Sequence, residues 1–258
     1  MNNPSSSTYQ PDVSLLGKVQ RRLTQWRTAQ PMRKGPSKTI VTFTFDDFPR
    51  SAAENGAKLL EDAGAKGTFY ACSSMMDQTN IMGDLFTKED LLSLYKSGHE
   101  IGAHTHSHLD CAQADSSIAL DDIDTNLAAL KELGIVSEIT QFAYPYGETQ
   151  RRLKVALKNR FQTARGVLAG QNKQGSDLMQ LRSYELDNNP ANAQRALHAI
   201  KTSVDTPSWI IIFTHDVRNE HSPFGTSPAT LQSLINAAQE IDADILTMGE
   251  AYSKIESA

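Results

Sequence analysis

Short apolar runs alternate along the chain with longer stretches of helical periodicity. The runs, which are rich in β-branched and aromatic residues, predict strands at 39–45, 67–72, 99–103, 140–144, 161–166, 181–186, 209–214 and 244–248. The periodic stretches predict helices at 51–63, 87–97, 116–132, 148–159, 190–203 and 228–241. Strands that are followed by helices indicate a parallel sheet, and seven or eight such units indicate a closed or nearly closed (β/α) barrel.

Local signals at the ends of the predicted helices support this reading. Ser51, Thr87 and Ser227 each precede a helical stretch and are expected to act as N-caps, the last of them followed by Pro228. Glycines stop three of the helices, at Gly64, Gly98 and Gly134.

Polar residues follow several of the predicted strands directly. They are Asp46-Asp47 after 39–45, His104 after 99–103, Tyr144-Pro145-Tyr146-Gly147 after 140–144, and His215-Asp216 after 209–214. In a (β/α) barrel the carboxyl ends of the strands share one face, and that face carries the active site. Residues far apart in sequence are therefore expected to meet there.

One carboxylate of the Asp46-Asp47 pair and the imidazoles of His104 and His108 would form a three-ligand set that leaves a metal open to water, as in hydrolytic zinc sites. If residues 104–108 were extended, the two rings would start roughly 13 Å apart, too far to share one ion. On a helical turn they would lie about 6 Å apart, so we expect a turn with His106 pointing elsewhere. The residues alone leave open which aspartate is the ligand, and a His-rich loop without a metal is the alternative.

Charge and length set limits on the class of protein. The chain has 258 residues and a net charge of -5, but residues 1–38 carry seven basic residues and one acidic residue, a net +6. We therefore expect a basic, partly helical arm over 1–37, packed through Leu15, Leu16, Val19, Leu23 and Trp26, and one main domain over 38–258. An anionic partner for the arm is the alternative. The acidic main domain argues against nucleic-acid binding.

Other features of the sequence bear on location. The chain has no apolar run long enough to span a membrane and no secretory signal pattern at its start. Cys72 and Cys111 are too few for a disulfide framework. Together these features predict a cytoplasmic protein, and the oligomeric state is left open.

The ordered motifs resemble those of the polysaccharide deacetylases, the NodB-homology family of metal-dependent carbohydrate esterases. The first motif of that family is present as Thr44-Phe45-Asp46-Asp47 and the second as His104-Thr105-His106-Ser107-His108. The third is present as Ala143-Tyr144-Pro145-Tyr146-Gly147 and the fifth as Phe213-Thr214-His215. The resemblance runs from about residue 38 to residue 252. It implies an α/β fold, a distorted and often incomplete (β/α) barrel, which agrees with the strand count.

The resemblance also implies roles for individual residues. Asp47, His104 and His108 would hold a divalent metal, with Zn²⁺ preferred, and Asp46 would be the general base. His215 would be the general acid, and the backbone N–H of Tyr146 would stabilise the oxyanion. From the residues alone, Asp46 as a strand-end cap and His215 as a core histidine stay open. Phe213 is expected to wall the acyl pocket, with an ordinary core position as the alternative.

Two departures from the family pattern concern the partners of the acid and base. Ala143 stands where the family has an arginine that orients the catalytic aspartate; Arg182 and Arg165 are the candidates to replace it. The fourth motif has no clear match, and Asp187 is the candidate carboxylate beside His215. The function implied is the metal-dependent removal of N-acetyl groups from an oligo- or polysaccharide. The alternatives are a hydrolase of another small amide or ester, and an inactive carbohydrate-binding barrel.

Overall fold

A parallel sheet forms the centre of the computed structural model, which describes residues 24–257. In chain order the strands are β1 (Ile40–Asp46), β2 (Thr68–Ala71), β3 (Thr79–Asn80), β4 (Gly83–Asp84), β5 (Glu100–Ala103), β6 (Gln141–Ala143), β7 (Thr163–Arg165), β8 (Tyr184–Glu185), β9 (Trp209–Thr214) and β10 (Asp244–Ile245). Within the described residues, eight of them make one sheet in the order β7-β6-β5-β2-β1-β9-β8, with β10 beside the start of β1. The predicted α/β fold and its incomplete barrel are confirmed, whereas the β3–β4 hairpin was not predicted.

One continuous segment spans the gap between the two edge strands of the curled sheet. Ala164 in β7 donates to the carbonyl of Leu178 (2.8 Å) and accepts from the N–H of Leu181 (2.9 Å). A few residues later the same segment becomes β8, which pairs with β9. The barrel is therefore closed on this side by irregular chain rather than by a regular ladder.

The two-residue periodicity of β1 decides which of its side chains face the inside of the barrel. Val41, Phe43 and Phe45 lie in the hydrophobic cluster beneath the surrounding helices. Thr42 and Asp46 alternate with them and point to the opposite, inner side. Asp46, the last residue of the strand, is therefore carried into the barrel at its carboxyl end.

The helices surround this sheet. They are α1 (Ala57–Asp62), preceded by a π-helical turn over Ala52–Gly56, α2 (Lys88–Lys96), α3 (Ser116–Leu133), α4 (Arg151–Leu157), α5 (Pro190–Thr202), α6 (Pro228–Glu240) and α7 (Met248–Ser257). Each predicted helix is present, and α7 was not predicted. Its first residue, Met248, lies in the stretch that was predicted as the last strand.

The capping predictions were right at two helices and wrong at one. Thr87 forms a capping box with Asp90, and Ser227 accepts from the N–H of Thr230. Ser51 makes no cap; its hydroxyl instead accepts from the N–H of Val217 at 3.2 Å. The chain therefore enters the π-helical turn without a side-chain cap.

The segment before β1 packs on the loop between β7 and β8. Ala29 and Gln30 donate their N–H groups to the carboxylate of Asp177 (3.1 and 3.0 Å), and Met32 is buried. Trp26 was predicted to pack on the main domain; this was wrong, because its side chain is 80% exposed. Leu15, Leu16, Val19 and Leu23 lie outside the described residues. The division at residues 37 and 38 stays a prediction.

Among residues 24–257, no helix has the length and apolar character needed to cross a membrane.

Candidate metal and active site

Three side chains that were predicted as metal ligands meet at the carboxyl end of the sheet. Asp47 follows β1 in a left-handed backbone conformation (φ 52°), and His104 follows β5. His108, four residues later, is also left-handed (φ 55°). Asp47 Oδ1 lies 3.7 Å from His104 Nε2, and Asp47 Oδ2 lies 3.5 Å from His108 Nε2. Their potential ligand atoms all lie within 4.8 Å of one another.

The chemistry of this trio fits a tetrahedral cation. With metal–ligand bonds of about 2 Å, tetrahedral ligand atoms stand roughly 3.3 Å apart, close to the two separations in the trio. Asp47 Oδ1 is buried and has no hydrogen-bond partner within the described chain. A buried carboxylate oxygen without a partner is costly, and a cation would satisfy it.

The proton on His104 is placed in the way that metal binding requires. His104 Nδ1 donates to the carbonyl of Ala143 at 2.8 Å, which leaves the lone pair on Nε2 facing Asp47. Burial lowers the pKa of His104, although Asp46 and Asp47 act against it, so the neutral ring is favoured. Both observations match the tautomer of a metal-ligating histidine.

The turn that carries the histidines was predicted to be helical, and this was wrong. Thr105 and His108 have positive φ angles (60° and 55°), and the Thr105 hydroxyl accepts from the N–H of Leu109. The two ring centroids are nevertheless only 5.2 Å apart. A tight left-handed turn therefore achieves the approach that was expected from a helical one.

Helix α3 fixes this turn from the side. The carboxylate of Asp122 accepts from the backbone N–H of His106 (3.1 Å) and of Ser107 (2.9 Å). His106 points away from the ligand trio, as predicted, with its Nδ1 2.9 Å from the hydroxyl of Ser73. Asp122 was missed because it looks like any surface aspartate in the sequence.

A buried asparagine one turn further along α3 ties a second loop to the same helix. Asn126 accepts from the N–H of Ser73 (2.9 Å) and donates to the carbonyl of Ala71 (3.0 Å). Its signal was detectable, because it lies on the face of α3 that buries Ile123 and Leu130. A polar residue at a core-facing helical position usually has a specific partner.

Asp46 is buried beside the ligand trio and is held by Arg165. The guanidinium donates from Nη2 to both carboxylate oxygens, at 2.5 Å to Oδ1 and closer to Oδ2. Burial alone would raise the pKa of Asp46, but the charge and hydrogen bonds of the Arg165 guanidinium outweigh burial and hold the pKa below its usual value. Asp46 is therefore an ionised carboxylate with a fixed orientation.

The register of the sheet explains why the arginine can come from residue 165. Ala143 and Arg165 are paired across β6 and β7, so their side chains leave the sheet at the same level. Arg182, the other candidate, is wrong for this position: it is exposed and donates to the carbonyl of Ala169.

His215 lies at the end of β9, on the same face. Its Nδ1 donates to the carbonyl of Phe224 at 3.2 Å, not to Asp187. Asp187, the predicted partner of His215, instead accepts from the N–H of Asn189 and the side chain of Asn192 and so organises the start of α5. The interpretation of Asp187 was therefore wrong.

Phe213 and Glu185 are register partners on β9 and β8 near these groups. Phe213 is buried with its ring 4.7 Å from the guanidinium carbon of Arg165; its role as a wall of the acyl pocket stays a prediction. Glu185 was missed by the sequence analysis. Burial first, and then Asp187, raises its pKa, while the charge of His215 acts in the opposite direction. Glu185 is therefore, besides Asp46, a second carboxyl group that interacts electrostatically with His215.

Tyr146 lies at a sharp turn beside the ligand trio. Its backbone is left-handed (φ 58°), and its ring centroid is 4.5 Å from that of His108 in an edge-on arrangement. Gly147, which follows it with φ 71°, packs so closely on Val167 that a Cβ there would lie 2.3 Å from that side chain. The turn is therefore fixed in place, and the proposed oxyanion role of the Tyr146 N–H stays a prediction.

Comparison with protein families assigns the chain to one family. The polysaccharide deacetylase family model matches residues 33–164, just over half of the sequence, and the chain belongs to this family. The matched region contains Asp46, Asp47, His104 and His108 and ends one residue before Arg165.

A relative of known family agrees with this assignment. A chitin deacetylase from Arthroderma benhamiae is 30% identical over 121 residues, which are 46% of this chain and 31% of that protein. This chain therefore matches less than a third of that relative's length.

Solved structures show the same fold at low sequence identity. A putative polysaccharide deacetylase from Mycobacterium smegmatis has a TM-score of 0.63 at 15% identity, covering 90% of this chain and 95% of that one. The chitin deacetylase from the fungal pathogen Colletotrichum lindemuthianum has a TM-score of 0.62 at 17% identity, covering 87% and 92%.

Proposed function

We propose that this protein is a metal-dependent hydrolase that removes N-acetyl groups from an oligo- or polysaccharide. The proposal rests on one observation: two neighbouring aspartates at the end of β1 have different surroundings. Asp47 has a buried oxygen without a partner beside two imidazole nitrogens, and Asp46 is an ionised carboxylate fixed by Arg165. A ligand and a base are thereby set side by side.

Asp47, His104 and His108 would hold the metal, and their mixed oxygen and nitrogen donors suit Zn²⁺. When bound, such an ion polarises the acyl carbonyl and lowers the pKa of water toward about 7. Asp46 would accept the proton of the attacking water, because its carboxylate is ionised and cannot rotate away from Arg165. Asp46 is only 4% exposed, and the rings of Tyr70 and Phe213 flank the Arg165 guanidinium that holds it, so little other water reaches this carboxylate.

His215 would donate a proton from Nε2 to the departing amine. Its Nδ1–H is committed to the Phe224 carbonyl, so Nε2 is the nitrogen that can give and take a proton. The N–H of Tyr146 would stabilise the negative charge on the acyl oxygen; one such donor typically contributes about 3 kcal/mol. The products would be acetate and a free amino sugar.

Acetate release tests this proposal. N-acetylated chito-oligosaccharides, N-acetylated peptidoglycan fragments and small non-sugar amides would be compared with the Zn²⁺-loaded protein. Acetate from the sugars alone supports the proposal. Release from the non-sugar amides alone would instead support the alternative, a hydrolase of another small metabolite.

Metal dependence is a separate prediction. We expect about one equivalent of divalent metal per chain, and removal by a chelator should abolish turnover until Zn²⁺ is restored. Asp47→Ala should lose both metal and activity, whereas the exposed Asp121→Ala on α3 should keep both. Full activity of the metal-free protein would contradict the prediction.

A further inference from the structure

A buried carboxylate lies behind His215 and has no part in the proposed mechanism. Asp216 is fully buried, and its carboxylate accepts from the N–H of Ser222 (2.8 Å), the hydroxyl of Ser222 (2.6 Å) and Nε of Arg218 (3.0 Å). The contacts from Ser222 and Arg218 fill both oxygens, so this aspartate is not a free acid or base. Its contacts lie within the loop that follows β9.

The loop is folded tightly around this side chain. The carbonyl of Asp216 accepts from the N–H of Thr226 at 2.9 Å, which closes residues 217–225 into a compact loop. Gly225 lies so near that a Cβ there would be 2.2 Å from Asp216 Oδ1. Any larger residue at 225 would push the loop off the carboxylate.

The same contacts extend to the side chain of His215. The hydroxyl of Ser222, which donates to Asp216, accepts from the N–H of Phe224 at 3.1 Å. The carbonyl of Phe224 in turn accepts from His215 Nδ1 at 3.2 Å. Asp216 thus contributes, through Ser222 and the backbone of Phe224, to the position of the carbonyl that accepts the His215 proton; the Thr214 hydroxyl also donates to this carbonyl, at 3.5 Å.

We propose that Asp216 is a positioning residue for His215, acting through Ser222 and the Phe224 carbonyl. The proposal rests on the proposed function in that His215 is taken as the general acid. The carbonyl holds the proton on Nδ1 and turns Nε2 toward the site. Without Asp216 the loop relaxes, the carbonyl moves, and the ring samples the other tautomer and other orientations.

This role predicts a dependence on the leaving group. An amine leaves only when it is protonated, so amide hydrolysis needs His215; a nitrophenolate leaves without help. Loss of His215 positioning should therefore slow the amide reaction and spare an activated ester. A general distortion of the site would slow both, since the base and ligands serve both reactions.

The first test compares kcat for an N-acetylated chito-oligosaccharide with kcat for 4-nitrophenyl acetate. Asp216→Ala, Asp216→Asn and Ser222→Ala are the variants, and the exposed Glu220→Ala in the same loop is the matched control. We expect the amide kcat to fall about tenfold or more in Asp216→Ala, and the ester kcat to change less than about threefold. His215→Ala combined with Asp216→Ala should be no slower on the amide than His215→Ala alone, because coupled residues are not additive.

The second test does not depend on turnover. Histidine ¹⁵N NMR, with the signal assigned from His215→Ala, should show the Nδ1–H tautomer in the Zn²⁺-loaded wild type and a tautomer mixture in Ser222→Ala and Asp216→Asn. Absence of acetate release by the wild type would end the proposed function, while this measurement would still decide the positioning role. An unchanged tautomer in these two milder variants would overturn the proposal, even if Asp216→Ala fails to fold. So would equal slowing of amide and ester in folded variants.

Discussion

Asp46 and Asp47 are neighbours in sequence but are held in different ways. Asp46 ends β1 with its side chain inside the barrel, where Arg165 binds it. Asp47 has a φ of 52°, which turns its carboxylate out of the strand alternation and toward the two imidazoles. Aspartate enters the left-handed region more easily than most residues. One backbone step therefore separates the proposed base from the proposed ligand.

Substituting Asp46 tests this separation of roles. Asp46→Asn should keep the metal, because the oxygen of the new amide can still accept from Arg165 and the ligand trio is untouched. The amide cannot take a proton from water, so kcat should fall about 10²–10⁴-fold. Metal analysis and acetate release on the same sample give both numbers. If the variant releases the metal, the roles of the two aspartates are reversed.

Substituting Arg165 tests how much the orientation of the base contributes. Arg165→Lys keeps the charge but loses the planar guanidinium, which contacts both Asp46 oxygens from Nη2 while its Nη1 donates to the Gly166 carbonyl. We expect kcat to fall about tenfold or more while the metal content stays at one per chain. Arg182→Lys is the matched control: it changes an exposed arginine and should leave kcat within about twofold. Equal losses in both variants would argue against a special role for Arg165.

At the scale of single residues, contacts between residues close in sequence were easier to predict than contacts between distant segments. The meeting of His104 and His108 with an aspartate was predictable because two histidines four apart and an aspartate pair at a strand end restrict the geometry strongly, whereas the choice of Asp47 over Asp46 came from the family resemblance. The choice between Arg165 and Arg182 was not, because it depends on the pairing of Ala143 with Arg165 across two strands. The partner of His215 was missed because it is a backbone carbonyl, at Phe224, and carries no signal in residue type.

At the scale of elements, α3 is the part that holds the site together. Asp122 and Asn126 lie one turn apart and bind two different loops, one with the histidine turn and one with Ser73. The backbone N–H and C=O groups they satisfy would otherwise lie against the site without a fixed partner. The helix thus holds the turn between His104 and His108, although neither Asp122 nor Asn126 belongs to the proposed ligand set.

Asp122→Ala should weaken metal binding without abolishing the fold. The freed N–H groups of His106 and Ser107 would let the turn relax, and we expect the metal dissociation constant to rise about tenfold or more. Asp121→Ala, the exposed neighbour on the same helix, should not change it. Competition with a metal-binding dye measures both variants. Equal metal affinity in Asp122→Ala and Asp121→Ala would show that the histidine turn keeps its conformation without Asp122.

Element boundaries were predicted best where local chemistry decides them. The capping box at Thr87 marks a helix start, and the left-handed glycines Gly98 and Gly134 mark helix ends; all three were predictable from residue type. Helix α7, which was not predicted, follows the two-residue strand β10. A strand of two residues shows no recognisable periodicity, so the sequence pattern does not separate the strand from the helix after it. The histidine turn departs from the expected helix because α3 supplies its hydrogen bonds from outside.

At the scale of the whole molecule, Glu100 joins the sheet to the last helix at the end away from the site. The carboxylate accepts from the hydroxyl of Thr68 (2.8 Å) and from the N–H of Gly249 (3.1 Å) in α7. A Cβ at Gly249 would lie 2.4 Å from this carboxylate, so the contact requires glycine. Burial raises the pKa of Glu100 to about 7, although these hydrogen bonds act against it.

This raised pKa predicts a stability that falls with pH. In the unfolded chain the carboxyl ionises near 4.5, but in the folded protein it stays protonated until about pH 7. The contribution of the protonated Glu100 side chain to the free energy of unfolding is therefore fully present below pH 4.5 and is lost as pH rises through 7. The side chain is partly buried, so we expect a loss on the order of 1–3 kcal/mol in the free energy of unfolding.

Urea unfolding between pH 5 and pH 8 measures this contribution in Glu100→Gln. The neutral amide keeps an acceptor for Gly249 and does not titrate, so the variant should lose less stability than the wild type as pH rises. The difference between the two should grow by about 1–3 kcal/mol across this window, in favour of the variant. Glu132→Gln, an exposed glutamate at the end of α3, should follow the wild type. Parallel curves for Glu100→Gln and the wild type would mean that Glu100 titrates as an ordinary surface carboxyl group.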